Sequence, residues 1–288
     1  MPVHRPAQSQ PSAAAGPRRV PTVLPPARDD VPAVVVAHGT AHLEGLLMID
    51  ALLERVRFLR PGLPVRLSFV SKAEPRPDVV LRELAATGAK EVVVLPLFLG
   101  SGYHVRHDIP TAVREATKTS ALTSAIAGAP AQDRAGRLRV HVARALGPDP
   151  MLAQVLAERL GAVCGRLFGT EVVLAAAGSL DQRATADAVA MAGLLAERLG
   201  MPVRTAFLTA AEPSTAALLT RLSRRGRPVA VATYLLAEGG YTQRLRDTAA
   251  LAGLEPGAVR TPRVAAPLGS HDVIARLLLR RYDQTLFG

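Results

Sequence analysis

The chain is nearly free of cysteine. Cys164 stands alone, so neither an internal disulfide nor a Cys-rich metal centre is available. A reducing cytoplasm is the expected home, with Cys164 packed as a small hydrophobe. Tryptophan is absent and aromatic residues make up only 3% of the chain. The net charge of +11 therefore lacks the stacking platforms that nucleic-acid binders combine with basic grooves. Lysine is scarce too, confined to Lys72, Lys90 and Lys118. The positive charge belongs to scattered arginines, whose planar guanidinium suits bidentate carboxylates. The expected partner is an acidic small molecule, with no nucleic acid. No apolar run approaches the ~20 residues of a membrane-spanning helix, so no membrane partner is expected either. Residues 1–31 hold no apolar leader stretch. Rich in Pro, Ala, Gln, Ser and Arg, they read as a disordered N-terminal extension, and Asp29, Asp30 and the prolines argue against a transit peptide.

What is present alternates in period. Val34–Ala37 is a short apolar run of the fully buried kind. Leu46, Ile49, Leu53 and Val56 recur at helical spacing. Residues 64–70 predict a second strand, 77–87 a helix ending at Gly88, and 92–99 a third strand. A helix over 108–117 has Pro110 in its first turn, and 138–142 predicts a fourth strand. Asp149-Pro150 then opens a further helix. Strands alternating with helices predict an α/β fold with a parallel sheet covered on both faces.

The pattern occurs twice. Pro64-Val65-Arg66-Leu67-Ser68-Phe69-Val70-Ser71-Lys72-Ala73-Glu74-Pro75 aligns with the segment Pro202–Pro213 at a constant offset, and Gly102-Tyr103-His104 falls on Gly240-Tyr241-Thr242 at the same offset. Ala37-His38-Gly39-Thr40 matches Ala176-Ala177-Gly178-Ser179, and Ala145–Pro148 resembles Pro267–Ser270. A repeat this long is a duplicated domain. The expected division is an N-terminal domain over 32–166 and a degenerate copy over 167–288. The copy has Ala177 in place of His38 and Thr242 in place of His104. Both histidines directly follow predicted strands, at the carboxyl edge where open parallel sheets bind ligands. The first half is therefore the chemical half, and the second a support or lid.

Neutral imidazole is the commonest metal ligand, and two on one sheet edge suit a borderline divalent ion. Gly39 permits a tight turn and close approach of a ligand, and Gly39-Thr40 at a helix start would also fit a phosphate. Yet neither G-x-G-x-x-G nor a P-loop lysine is present, so a nucleotide site is not expected. His107 reads as exposed or as support to the pair, and His42 as exposed. Asp108 either caps the following helix or orients an imidazole. Glu74 either adds a carboxylate ligand or, since Glu212 matches it in the half without histidines, shapes a Glu-Pro turn. Arg106 and its counterpart Arg244 either flank a cleft and bind carboxylates or are solvated. His4, His141 and His271 have no companions.

The stretches V-V-V-A-H-G-T at 34–40, A-E-P at 73–75 and P-L-F-L-G-S-G-Y-H-V-R-H-D-I-P at 96–110 resemble the sirohydrochlorin chelatases, class II chelatases of the CbiX/SirB type. The resemblance covers about residues 32–285. It implies two chelatase-like (flavodoxin-like) domains, each a parallel four-stranded sheet flanked by helices, facing each other across a cleft. It implies His38 and His104 as the catalytic and metal-binding pair, Glu74 as a further metal ligand, and Gly39, Thr40, Gly102, Tyr103 and Arg106 around the substrate. Ala41 followed by His42 departs from the basic or polar residue usual after H-G-[ST]. The implied reaction inserts Fe2+ or Co2+, as substrate, into a tetrapyrrole. No organic cofactor and no ATP site are implied, and internal duplication implies a monomer. Imidazole can hold and release an ion that a Cys site would retain. Two other classes compete: a non-catalytic metal or tetrapyrrole carrier on the same fold, and a metal-dependent hydrolase, which usually needs more carboxylate ligands.

Overall fold

The computed structural model describes residues 28–126 and 138–288. Most of the expected extension, 1–27, lies outside the described residues, whereas Val31 is already buried. The first sheet contains β1 (Ala33–Ala37), β2 (Val65–Phe69), β3 (Glu91–Pro96) and β4 (Arg139–Val142), all parallel in the order β2-β1-β3-β4. The second contains β5 (Glu171–Ala176), β6 (Val203–Phe207), β7 (Val229–Tyr234) and β8 (Arg263–Val264), in the equivalent order β6-β5-β7-β8. Two four-stranded parallel sheets flanked by helices are the duplicated fold expected. The central strands are apolar throughout because both of their faces are covered: every residue of β1 is buried.

Alternation along β1 divides the molecule into layers. Val34 and Val36 point to an outer core with α2 (Pro77–Ala86) and α3 (Ile109–Ile126). Ala33, Val35 and Ala37 point to an inner core. The second sheet repeats this, with α6 (Thr215–Ser223) and α7 (Gly240–Leu254) on its outer face. The inner core is continuous between the sheets and is filled by α1 (Leu43–Leu59), α4 (Pro150–Cys164), α5 (Gln182–Leu199) and α8 (Asp272–Phe287).

Two of these helices are exchanged. The helix α4, which follows the first sheet in sequence, packs on β7, β8 and α5 of the second. The helix α8, which follows the second sheet, packs on β3, β4 and α1 of the first. The crossing is fastened by Asp149, 2% exposed, which caps α4 by accepting from Met151 N at 2.9 Å. Arg281 of α8, 1% exposed, donates to Asp149 Oδ2 at 2.9 Å and to the carbonyls of Leu146 (2.7 Å) and Ala145 (3.1 Å). Arg280 pairs with the same carboxylate. Burial pulls the Arg281 guanidinium below its ordinary value, against the pull of Asp149.

Two predicted boundaries shift for physical reasons. Strand β3 ends at Pro96, and the apolar residues Leu97–Leu99 leave the sheet to line the space between the two halves. Helix α3 is preceded by a π-helical turn, His104–Asp108. Pro110 has no N–H to give to the carbonyl four residues back, so the turn before it departs from regular α-helix. No described helix is long and apolar enough to cross a membrane.

Removing one member of a buried ion pair typically costs 3–5 kcal/mol. Arg280 stays with Asp149, so Arg281→Met is expected to lower unfolding free energy by about 3 kcal/mol in urea titrations. Adding Asp149→Asn should recover none of that loss, because Arg280 still neutralises the carboxylate and would itself lose its partner.

Candidate functional site

The carboxyl edges of the two sheets face a common cleft. His38 follows β1 and His104 follows β3, the two strands between which the chain reverses its direction of travel across the sheet. Their rings meet edge to face with centroids 4.7 Å apart. The sequence therefore predicts correctly that the two imidazoles converge.

Each ring is oriented by its Nδ1. In His38, Nδ1 lies 2.9 Å from the Gly39 carbonyl oxygen, which can only accept, so Nδ1 carries the proton and Nε2 the lone pair. In His104, Nδ1 lies 2.6 Å from Asp108 Oδ2, which fixes the same tautomer when the carboxylate is ionised. Of the two roles open to Asp108, the structure selects orientation of the imidazole. Phe98 lies nearly parallel to the His104 ring at 5.8 Å.

Two adjoining cavities of about 550 and 370 Å3 share Leu97, Leu235 and Leu236 in their linings. His38 lines the larger with Gly39, Thr40, His42, Lys72, Tyr241 and Arg244. His104 lines the smaller with Gly102 and Tyr103. The pair thus sits at the junction of two largely apolar hollows, a setting suited to a flat ligand that meets metal-binding nitrogens at its centre.

The other predicted residues fall differently. A side chain at Gly39 would place Cβ 1.9 Å from the Ser71 carbonyl oxygen, and φ is +87°. The protein's own backbone makes this close approach, and Gly178 repeats it against Thr209. The Thr40 hydroxyl accepts from His42 N at 3.0 Å and shapes the turn into α1. Glu74 is exposed, at a cis Glu74–Pro75 bond, and makes no hydrogen bond in the described structure, whereas Glu212 accepts from Ser214 N at 2.6 Å. Among the described residues no three His, Cys, Asp or Glu side chains group around one point, so Glu74 stands apart from the histidine pair. The exposed ring of His107 stacks on Tyr103 at 4.6 Å.

Arg106 is engaged. It pairs across the cleft with Asp181, the cap of α5, and holds that carboxyl below the usual carboxylate range. The same loop is fastened twice more to the second half. Ser101 donates from both N and Oγ to Asp187 Oδ2 at 2.7 Å. Tyr234 OH, raised in pKa by burial, donates to the Leu99 carbonyl at 2.8 Å. The degenerate half therefore holds the loop that carries His104. Sequence reading missed Asp187 and Tyr234, which carry no motif. It also missed Lys72, whose match to Ala210 in the repeat was the available signal. Where His104 was lost, Thr242 caps α7, bonding Gly239 N and O at 2.9 and 2.8 Å.

A sirohydrochlorin ferrochelatase of Bacillus subtilis is 23% identical over 254 residues, covering 87% of this chain and 90% of that protein. A sirohydrochlorin cobaltochelatase of Methanothermobacter thermautotrophicus is 32% identical over 77 residues, which span 27% of this chain and 53% of that relative. Among solved structures, SirB from Bacillus subtilis with Fe3+ superposes with a TM-score of 0.74 at 22% identity, covering 88% of this chain and 95% of that one. The CbiX family model matches residues 32–163 and again 171–285. Matched twice over most of its length, the chain belongs to the CbiX family.

Proposed function

We propose that this chain is a sirohydrochlorin chelatase that inserts a divalent metal, Fe2+ or Co2+, into the macrocycle. It does so as a cytoplasmic monomer whose two halves supply both walls of the cleft. The observation that carries the reading is the convergence of His38 and His104, rings 4.7 Å apart, at the junction of two apolar cavities. Membership of the CbiX family and the names of its relatives support it.

Insertion requires that the ion shed water and that two pyrrole N–H protons leave. The Nε2 lone pairs of His38 and His104 hold the ion weakly enough for transfer, and as it passes to the macrocycle the two vacated Nε2 atoms take the two pyrrole protons it displaces. Asp108 fixes the tautomer and orientation of His104. Glu74, a carboxylate without a hydrogen-bond partner in the loop between β2 and α2, is the proposed further ligand as the ion enters. Leu97, Leu235 and Leu236 offer an apolar bed for the ring and keep water from the exchanging nitrogens.

The test is anaerobic metallation of sirohydrochlorin, followed by macrocycle absorbance against the uncatalysed rate. His38→Ala and His104→Ala should each lose at least about 100-fold in kcat/KM. Asp108→Asn should weaken metal affinity by roughly tenfold or more while leaving the fold intact. Tight binding of both substrates without turnover would identify a carrier instead.

The N/O donor set gives a second expectation. At equal free concentrations Co2+ should bind more tightly than Fe2+, following the general order of divalent affinities. Competition titrations with the purified protein check it, and preference for Fe2+ would require a ligand outside the His38, His104 and Glu74 set.

A further inference from the structure

The two halves build the cleft with approximate symmetry, so each charged residue at its rim has a counterpart whose partner can be compared. Arg106 corresponds to Arg244, and Tyr103 to Tyr241. The turn that follows β1 corresponds to the turn that follows β5. His42 N donates to Thr40 Oγ1 at 3.0 Å, and Asp181 N donates to Ser179 Oγ at 3.0 Å. His42 stands at the N-cap of α1 as Asp181 does at the N-cap of α5. His42 and Asp181 therefore occupy equivalent places.

The charges are not equivalent. On one side of the cleft Arg106 is neutralised by Asp181. On the other, the place of that carboxylate is taken by an imidazole, which lies beside Gly239 and Gly240 at the start of α7. Arg244, one turn along α7, is exposed in the larger cavity, and no carboxylate pairs with it among the described residues. Lys72 lines the same cavity from the first half, equally unpaired, where the second half has Ala210. Lys72 and Ala210 share a left-handed backbone, φ 58° and 56°, so the frame is common and only the side chain differs. Glu238, the carboxylate in this lining, is bound by Arg246 at 2.6 Å.

We propose that Lys72 and Arg244, reaching into the cavity beside His38 from the two halves, form an anion site for one peripheral carboxylate of the macrocycle, and so set which way round it lies. The inference rests on the chelatase reading and adds a specificity determinant to it. The apolar bed accepts a flat ring in any rotation about its axis. One cationic end opposite one neutralised end breaks that degeneracy, because a charge-assisted hydrogen bond forms at one end only.

The experiment measures binding of metal-free sirohydrochlorin by fluorescence, together with KM and kcat for Co2+ insertion, in Arg244→Gln, Lys72→Gln and His42→Asp. Arg225→Gln, an exposed arginine outside both cavities, controls for loss of bulk charge. Arg244→Gln and His42→Asp should each raise Kd and KM about tenfold, with kcat at saturation within about twofold. Lys72→Gln should do so by a smaller factor, and all three should flatten the salt dependence of Kd. His42→Asp is decisive: it leaves Arg244 in place and supplies the missing partner, so a merely structural arginine would be strengthened rather than disabled. Wild-type turnover with unchanged Kd in His42→Asp and Arg244→Gln overturns this inference alone. A wild-type protein that neither binds nor metallates sirohydrochlorin overturns the functional reading, and the inference with it.

Discussion

The buried carboxylate of Asp149 is where the two sheets become one molecule. As the cap of α4 it satisfies the backbone at the start of the helix that crosses to the second sheet. As the partner of Arg281 and Arg280 it holds the helix that crosses back. The Arg281 guanidinium spends its remaining donors on the carbonyls of Ala145 and Leu146 and on Gln284, so the ion pair is buried with nearly every polar group of that fork satisfied. The geometry of the cleft follows from this fastening. If α8 did not cover the first sheet and α4 the second, the inner core would have two bare faces and the histidine edge would have no opposite wall.

Within that frame, duplication separates scaffold from chemistry. Gly39 and Gly178, the left-handed backbone at Lys72 and Ala210, and the cis bonds Glu74–Pro75 and Glu212–Pro213 recur in place, because both halves follow one backbone path. Side chains that face the cleft are free to differ. His104 became the capping residue Thr242, and Glu212 was drawn into a turn while Glu74 stayed unbonded. The second half gave up its imidazoles and took on the task of holding the first half's loop through Asp181, Asp187 and Tyr234.

Much of this was legible in the residues. Apolar runs located the buried strands, and the internal repeat located the second sheet without any separate reading of its elements. Loss of histidine at two matched positions pointed to His38 and His104. The helix exchange was not legible. The apolar stripes of α4 and α8 say that each has a buried face, not which sheet receives it. Nor was the engagement of Arg106, since an ion pair with a residue 75 positions away leaves no periodic trace. Gly39 was legible as a glycine requirement, but the approach of the Ser71 backbone that imposes it was not.

The exchanged helix also sets an order of events in folding. Ile274, Leu277 and Leu278, which cover the inner face of the first sheet, belong to a helix that follows the whole second sheet in sequence. The half that bears the histidines precedes the second sheet in sequence, yet its apolar inner surface stays uncovered until α8 packs on it. A chain cut short before Asp272 keeps His38 and His104 but leaves an apolar face of the first sheet bare, so the two halves fold as one unit rather than in turn.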